Sequence, residues 1–431
     1  MPAAETPSSS SMTMIQRPKG TQDVLPSESH RWQHLEATTR QFFAQAGYQE
    51  LRTPVLEHTE LFQRGVGETT DIVSKEMFTF EKGERSLTLR PEGTAGVVRA
   101  FIEQGMSRLP KPVKVFYNGP MFRYERPQEG RQRQFHQIGV ECFGLDTPAA
   151  DAESILLAWG LFDRLGIAGD LSLEVNNVGD PSSREAFREG LRSVVRPHLA
   201  DLCEPCQMRF ETNPLRMLDC KAPACQAVYE GEAVVGFLET FEHPEAIARP
   251  FEETLDILRA VGVPFRVNRR LVRGLDYYTR TVFEISTHRL GAQNAVCGGG
   301  RYNHLVEQLG GPQSPAVGWA LGVERILRLL PEISLPTLDA YVVTDRPADG
   351  FRLAQHLRAQ GFAVEVDLSG RAFGKQLGQA SKRQARVALI RGEAEAAHGQ
   401  WLVKDLSGGQ QLSVEEATVA AHLEILKTQA P

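Results

Sequence analysis

The sequence predicts an α+β protein: an antiparallel-rich sheet core interrupted by a helical insert, then a small C-terminal α/β domain. Three observations carry this reading. Strand-like alternation recurs at 86–90 (SLTLR), 113–118 (VKVFYN) and 135–143 (FHQIGVECF). From about 169 to 262 the pattern turns helical and no catalytic motif is evident. After a linker with two prolines at 331–337 (PEISLPT), strand and helix patterns alternate, as in a compact α/β domain. A chain of 431 residues is too long for one ordinary core, so two or three domains are expected.

The elements follow in order. Residues 1–13 are rich in Ser, Ala and Pro and read as a disordered extension, without the basic start and apolar stretch of a secretory signal. Residues 28–46 place Trp32, Leu35, Phe42 and Phe43 at helical spacing and stop at Gly47. The next stretch, YQELRTPVLEHTELF, mixes β-formers with Pro54 and suggests a strand at an edge or interface. Residues 151–165 read as a helix, 271–286 (LVRGLDYYTRTVFEIS) as a strand, and 317–330 as a glycine-rich entry into a buried helix. In the last domain, 338–431, strands are expected at 339–344, 362–368 and 386–391, with helices at 349–359 and 373–385.

Composition narrows the function. Hydrophobic residues make up 41% and charged residues 24%, as in globular proteins, and no apolar run reaches the roughly 18 residues of a membrane helix. A net charge of −6 excludes a generally basic nucleic-acid binder but not a local basic patch. Six cysteines without a signal peptide suggest a reducing cytoplasm. There is no P-loop, since GRAFGKQ at 370–376 has the wrong spacing, and no H-E-x-x-H. A nucleotide site would have to rest on arginines, whose guanidinium groups bind phosphate bidentately.

Five clusters carry the chemistry. TLRPEGTAGVVRA (88–100) sets Glu92 and Thr94 beside a strand end, a pair that suits an ammonium group, with Gly93 letting a ligand approach the backbone. Taken alone, this cluster reads first as a turn with a surface acid. GPMFRYERPQEGRQRQFHQIGVECFG (119–144) gathers Arg123, Arg126, Arg131 and Arg133 around a glycine, then puts Gln137 and Glu141 on one face of a strand. LVRGLDYYTRTVFE (271–284) combines Arg273, Asp276, Tyr277 and Tyr278; its plain alternative is a half-buried aromatic strand. In CGGGRYNHL (297–305), three glycines before Arg301 and Tyr302 allow close contact with a flat ligand. GWALGVERILRLL (318–330) puts Arg325 at a helix start, where positive charge suits phosphate.

Together, in order and spacing, these clusters resemble the motifs of class II aminoacyl-tRNA synthetases, and LVRGLDYY and GGGRYNHL resemble the two histidine-specific motifs of histidyl-tRNA synthetases. The resemblance covers about residues 14–430. It implies a class II catalytic domain over 14–330, built on an antiparallel sheet, with the insert at about 169–262 and an anticodon-binding domain over 338–431. It implies that histidine is activated with ATP and Mg²⁺ and then joined to tRNA(His), in a homodimer paired near Pro54. By position, Arg123 and Arg273 would act on the α-phosphate and the substrate carboxylate, and Arg131 and Arg325 would hold the outer phosphates. Glu92, Thr94 and Gln137 would receive the α-amino group, with Gly93 also in the histidine-binding set. Glu141 and one of Tyr277 and Tyr278 would hydrogen-bond the imidazole, which offers one donor and one acceptor when neutral, and Tyr302 would complete the histidine-binding set. Gln128, Gly130 and Arg133 would meet the acceptor end of the tRNA. In the last domain, residues 368–392 hold Arg371, Lys375, Lys382, Arg383, Arg386 and Arg391 and no acid, a phosphate-binding or merely solvated face.

CEPC (203–206) and CKAPAC (220–225) have spacing compatible with a four-cysteine zinc site at Cys203, Cys206, Cys220 and Cys225; four free thiols are the favoured reading. Two rivals stand beside the synthetase. One is a non-catalytic regulatory paralogue serving ATP phosphoribosyltransferase, which generally lacks the C-terminal domain and parts of the histidine motifs. The other is a synthetase for threonine or proline, which would lack the pairing of Glu141 with LVRGLDYY.

Overall fold

The computed structural model describes residues 14–428, except 69, 129, 292, 293 and 336. The expected disordered extension, 1–13, lies outside the described residues. The described chain forms two compact units that divide between Ile333 and Ser334.

The first unit begins with α1 (Pro26–Gln45), which buries Leu35, Thr39 and Phe43 on one face and has a proline in its first turn, where the absent N–H costs nothing. Short strands β1 (Gln49–Glu50) and β2 (Leu56–His58) flank Pro54 and lead into α2 (Thr59–Val66). Strands β3 (Phe78–Lys82) and β4 (Arg85–Leu89) complete a three-stranded sheet in the order β2-β4-β3. Next come α3 (Thr94–Glu103), β5 (Val113–Phe122), β6 (Gln134–Phe143), α4 (Pro148–Arg164) and β7 (Ser172–Asn177). Four helices follow: α5 (Pro181–Val195), α6 (Glu204–Thr212), α7 (Pro223–Tyr229) and α8 (Glu232–Thr240). The unit closes with α9 (Glu245–Val261), β8 (Arg266–Val267), β9 (Thr279–Ser286), β10 (Ala295–Arg301), α10 (Leu305–Gln308), β11 (Ala316–Gly322) and α11 (Val323–Leu329).

The main sheet has eight strands in the order β1-β5-β6-β11-β10-β9-β7-β8. Its pairings are antiparallel except at the two edges, where β1 joins β5 and β8 joins β7 in parallel. Alternation sends Phe116, Val140, Trp319, Phe283 and Ile285 to one face, packed against Phe43 of α1, Leu161 of α4, Leu255 of α9 and Ile326 of α11. Strand residues Val115, Tyr117 and Val282 on the other face meet Val97 and Phe101 of α3.

The structure differs from the sequence reading in two places. Residues 271–278 are not strand: Leu271 N–H donates to Asn268 O, Asp276 N–H donates to Val66 O, and the ladder begins only at Thr279. Their β-forming side chains are buried by loop packing, so local propensity misleads. The stretch 169–262 is also not one insert in packing terms. Its ends belong to the main unit, β7 as a strand of the large sheet and α9 as a helix against α4. A separate small core between them joins Leu191, Val195, Phe210, Met217, Tyr229 and Leu238.

In the second unit, β12 (Ala340–Thr344), α12 (Pro347–Ala359), β13 (Val364–Val366), α13 (Phe373–Lys382) and β14 (Val387–Arg391) follow the expected alternation. Beyond it lie α14 (Glu393–Ala397), a hairpin of β15 (Gln400–Asp405) and β16 (Gln411–Glu415), and α15 (Val419–Thr428). The sheet order is β13-β12-β14-β15-β16, parallel on one side of β14 and antiparallel on the other. No described helix is long and apolar enough to cross a membrane.

Candidate active site

On the Val115–Tyr117 face, the middle of the main sheet is bare. Gly139 of β6 pairs with Ala320 of β11, Ala320 with Gly298 of β10, and Gly298 with Glu284 of β9. One row across three strands therefore carries no side chain larger than methyl. Neighbouring rows put Gln137 opposite Gly322 and Glu141 opposite Gly318. The Tyr117 ring covers Gly139, so the flat floor is Ala320, Gly298 and Gly322, under a cavity of about 530 Å³, the size of a site for a small molecule or nucleotide.

Cations crowd one end. Arg123, Arg131, Arg273 and Arg325 all line the cavity. Arg123 follows β5, donates from Nε to Pro91 O at 2.9 Å, and so ties the basic loop to the turn before α3. Arg325 lies in the first turn of α11, where the helix dipole repels a cation, and is held by Gly130 O at 3.1 Å and Ala295 O at 2.5 Å. Burial, followed by the nearby Arg131, lowers the Arg325 pKa. Charges pressed together this way suit a polyanion. The Arg273 guanidinium lies over Gly298, so close that a Cβ there would sit 2.2–2.6 Å from three of its atoms. Its partner is Glu284. Burial opposes the charge on Arg273, but Glu284 and the adjacent Tyr278 more than offset it and raise the pKa.

The other end is polar. Glu92 is not a surface acid: it is 4% exposed, and its carboxylate accepts from Thr94 N–H at 2.9 Å and Ala95 N–H at 2.7 Å, capping α3. Burial raises its pKa against those bonds. Glu92, Thr94, Gln137, Tyr277 and Tyr278 line the cavity, and Gln137 Oε1 is buried without a hydrogen-bond partner. Glu141 and Tyr302 lie behind this wall. Glu141 accepts from Thr94 Oγ1 at 2.7 Å and from the Tyr302 hydroxyl at 2.5 Å. Burial pushes the Glu141 carboxyl up to about 8, against those two hydrogen bonds.

Two glycine roles differ from the sequence reading. The space a side chain at Gly93 would need is filled by the ring of Tyr117, 2.2 Å from the position of an added Cβ, so this glycine serves packing within the protein. Of the three glycines before Arg301, Gly298 alone lines the cavity; Gly299 lies against Gly318 and Trp319, and Gly300 against Thr281 and Val282. Arg301 is 1% exposed and pairs with buried Asp151 at 2.6 Å, which makes it a core ion pair.

The loop residues lie further out. Gln128 and Arg131 exchange backbone hydrogen bonds across a tight turn with Gly130 at φ +75°. Arg133 stacks on the Tyr124 ring at 4.0 Å and donates its backbone N–H to Gly20 O. Sequence reasoning passed over three acids. Glu284 anchors Arg273, Glu125 pairs with Arg131 at 3.0 Å, and Glu324 accepts from His136 N–H at 2.9 Å. Their signal was position: Glu125 within a run of arginines, and Glu324 beside Arg325. Glu125 and Glu324 line the cavity next to the arginines and offer the hard oxygen ligands that Mg²⁺ takes.

In the second unit three of the six basic residues are engaged within the protein. Arg391 is 8% exposed and pairs with Glu416, Arg386 donates to Leu426 O, and Arg383 pairs with Glu365. Arg371, Lys375 and Lys382, on and before α13, are the exposed remainder.

The family model of histidyl-tRNA synthetase matches residues 20–326, and that of an anticodon-binding domain matches residues 347–426. A histidine–tRNA ligase of Desulforamulus reducens is 49% identical over 411 residues, 92% of this chain and 96% of that protein. One of Moorella thermoacetica is 48% identical and covers 96% of this chain and 99% of its own length. The crystal structure of apo histidyl-tRNA synthetase from S. aureus superposes with a TM-score of 0.78 at 34% identity, over 95% of this chain and 100% of that one. The bare floor, the arginines around it and these likenesses agree: the chain belongs to the histidyl-tRNA synthetase family.

Proposed function

We propose that the chain is a histidine–tRNA ligase that makes histidyl-adenylate from histidine and ATP and passes the histidyl group to tRNA(His). The observation that carries this reading is the convergence of Arg123, Arg131, Arg273 and Arg325 on one bare-floored cavity whose other end holds Glu92, Thr94 and Gln137. The adenine and the amino acid can lie flat where the sheet has no side chains. A carboxylate oxygen of histidine attacks the α-phosphorus of ATP, the bond to the bridging oxygen breaks, and pyrophosphate leaves. Negative charge grows on the α-phosphate, so preplaced cations on both sides are the main catalytic device. Arg123 and Arg273 fill that role, and Arg131 and Arg325 hold the outer phosphates. Mg²⁺ bound with ATP would neutralise further phosphate charge, with Glu125 and Glu324 as the nearby carboxylates.

Glu92, Thr94 and Gln137 receive the α-ammonium, Gln137 with an acceptor that has no partner within the protein. One of Tyr277 and Tyr278 reads the imidazole from the cavity wall, and Glu141, held by Tyr302 behind that wall, acts on it through Thr94. Discrimination of this kind is strong, because a wrong side chain leaves buried polar groups unpaired. A 2′- or 3′-hydroxyl at the end of the tRNA then attacks the carbonyl carbon and expels AMP. Gln128, Gly130 and Arg133 meet the acceptor end, and the C-terminal domain meets the anticodon. Two copies pair near Pro54, where Val55 and Leu56 stay exposed, and the enzyme works in the cytoplasm.

Pyrophosphate exchange into ATP, run with each of the twenty amino acids, tests the reading. Exchange with histidine alone supports it. Exchange with another amino acid moves the substrate within the class. A folded protein with no exchange at all favours the regulatory paralogue.

A further inference from the structure

The small core between β7 and α9 brings Cys203, Cys206, Cys220 and Cys225 together, with their sulfur atoms all within 4.8 Å of one another. They come from two separate turns. Cys203 precedes α6 and Cys206 lies in its first turn; Cys220 closes the 3₁₀ turn Pro214–Asp219, and Cys225 lies in the first turn of α7. Cys206 and Cys225 are buried, and the other two are half-buried.

The spacing discriminates among the chemistries open to four cysteines. Cys203 Sγ and Cys220 Sγ stand 3.7 Å apart, well beyond the roughly 2.05 Å of a disulfide. Four sulfurs at about 2.3 Å from a tetrahedral zinc ion lie about 3.8 Å from one another. A cluster of several irons would hold its cysteines on different metals and so further apart. The backbone N–H of Cys203 also donates to Cys225 Sγ at 3.2 Å, the kind of outer hydrogen bond that steadies a metal-bound thiolate.

We infer that Cys203, Cys206, Cys220 and Cys225 bind one structural Zn²⁺ that clamps the turn before α6 to the turn before α7. Binding releases the thiol protons to solvent and changes no oxidation state. The sequence alone favours four free thiols; the convergence of the sulfurs is what reverses that preference. The clamp matters because a core this small buries little apolar area and gains most from a staple.

The same segment supports the substrate loop. Asn213 Nδ2 donates to Asp276 Oδ1 at 3.1 Å, Arg216 lies 3.8 Å from Asp276, and Arg209 pairs with Asp71 at 3.0 Å. Asp276 sits between Arg273 and the Tyr277–Tyr278 pair, so the ion steadies the loop from outside the cavity and takes no part in the chemistry.

The test is metal analysis of the full chain, purified without chelator from zinc-replete cells. One zinc per chain is expected, retained through gel filtration and lost in Cys206→Ser/Cys225→Ser. Because that variant can misfold, cobalt substitution of the wild type provides a second reading: a tetrahedral thiolate spectrum at one cobalt per chain is expected. A wild-type protein without zinc that takes up neither metal, or one whose mass shows two disulfides, overturns the proposal. Hydrogen exchange before and after zinc removal checks the supporting role. Faster exchange at 271–278 with no change in the C-terminal domain is expected, and unchanged exchange at 271–278 overturns it.

Discussion

Gly298→Ala separates the position of Arg273 from the stability of the fold. An added Cβ would stand 2.2, 2.4 and 2.6 Å from Nη2, Cζ and Nη1 of Arg273. Ordinary contact distances require the guanidinium to retreat by about 1 Å, and a misplacement of that size costs on the order of 100-fold in rate. Loss of one preorganised charge at a developing anion costs about 2.7–4 kcal/mol, and 100-fold is the lower end of that range. Folding should change little, because the neighbour displaced is the end of a flexible side chain, and alanine is itself favoured over glycine in a strand by roughly 0.5–1 kcal/mol. The assay is histidine-dependent pyrophosphate exchange beside a urea melt. We expect exchange to fall about 100-fold with an unchanged melt. Combined with Arg273→Ala, the loss should not grow, because both changes remove the same interaction. Near-normal exchange by folded Gly298→Ala would refute the argument that Arg273 acts from its place above the floor.

Arg273→His should abolish adenylate formation while sparing tRNA binding; adenylation near the wild-type rate sinks the catalytic assignment. Glu141 is raised from 4.5 to about 8, so its contribution to stability is full below about 4.5 and fades as pH rises through about 8. Glu141→Gln should flatten this dependence and raise the KM for histidine; melting curves that stay parallel to wild type across that range would disprove the burial argument. Arg301→Met leaves Asp151 buried without its cation and should cost about 3–5 kcal/mol in a urea melt. A loss below about 1 kcal/mol would show that the pair can be dispensed with.

Much of the catalytic fold was legible because its strands alternate cleanly. FHQIGVECF announces β6 and places Gln137 and Glu141 on one face, and the helix of Trp32, Leu35 and Phe43 is plain in its spacing. The loop 271–278 was not legible. Val272, Tyr277 and Tyr278 have strand propensity, yet their environment comes from distant partners such as Val66, Asn213 and Arg216, which no local pattern encodes. The hairpin of β15 and β16 carries a local signal, Ser-Gly-Gly between two alternating runs, but the βα pattern before it suggests more of the same. The arginines were visible as types, whereas the acids that orient them were not: Glu284 meets Arg273 only once β9 and the loop are folded together.

The row Gly139–Ala320–Gly298 has a counterpart on the reverse of the same strands, where Val140 of β6 and Trp319 of β11 fill the hydrophobic core and β10 presents only Gly299 against Trp319. β11 thus writes two messages in alternate letters, Ala320 for the cavity and Trp319 for the fold. A slip of one residue would exchange them, thrusting Trp319 into the cavity and leaving glycine in the core. Correct alignment of β11 is therefore certified twice, and a sheet in which it slips has no means of holding together as a folded but inactive enzyme.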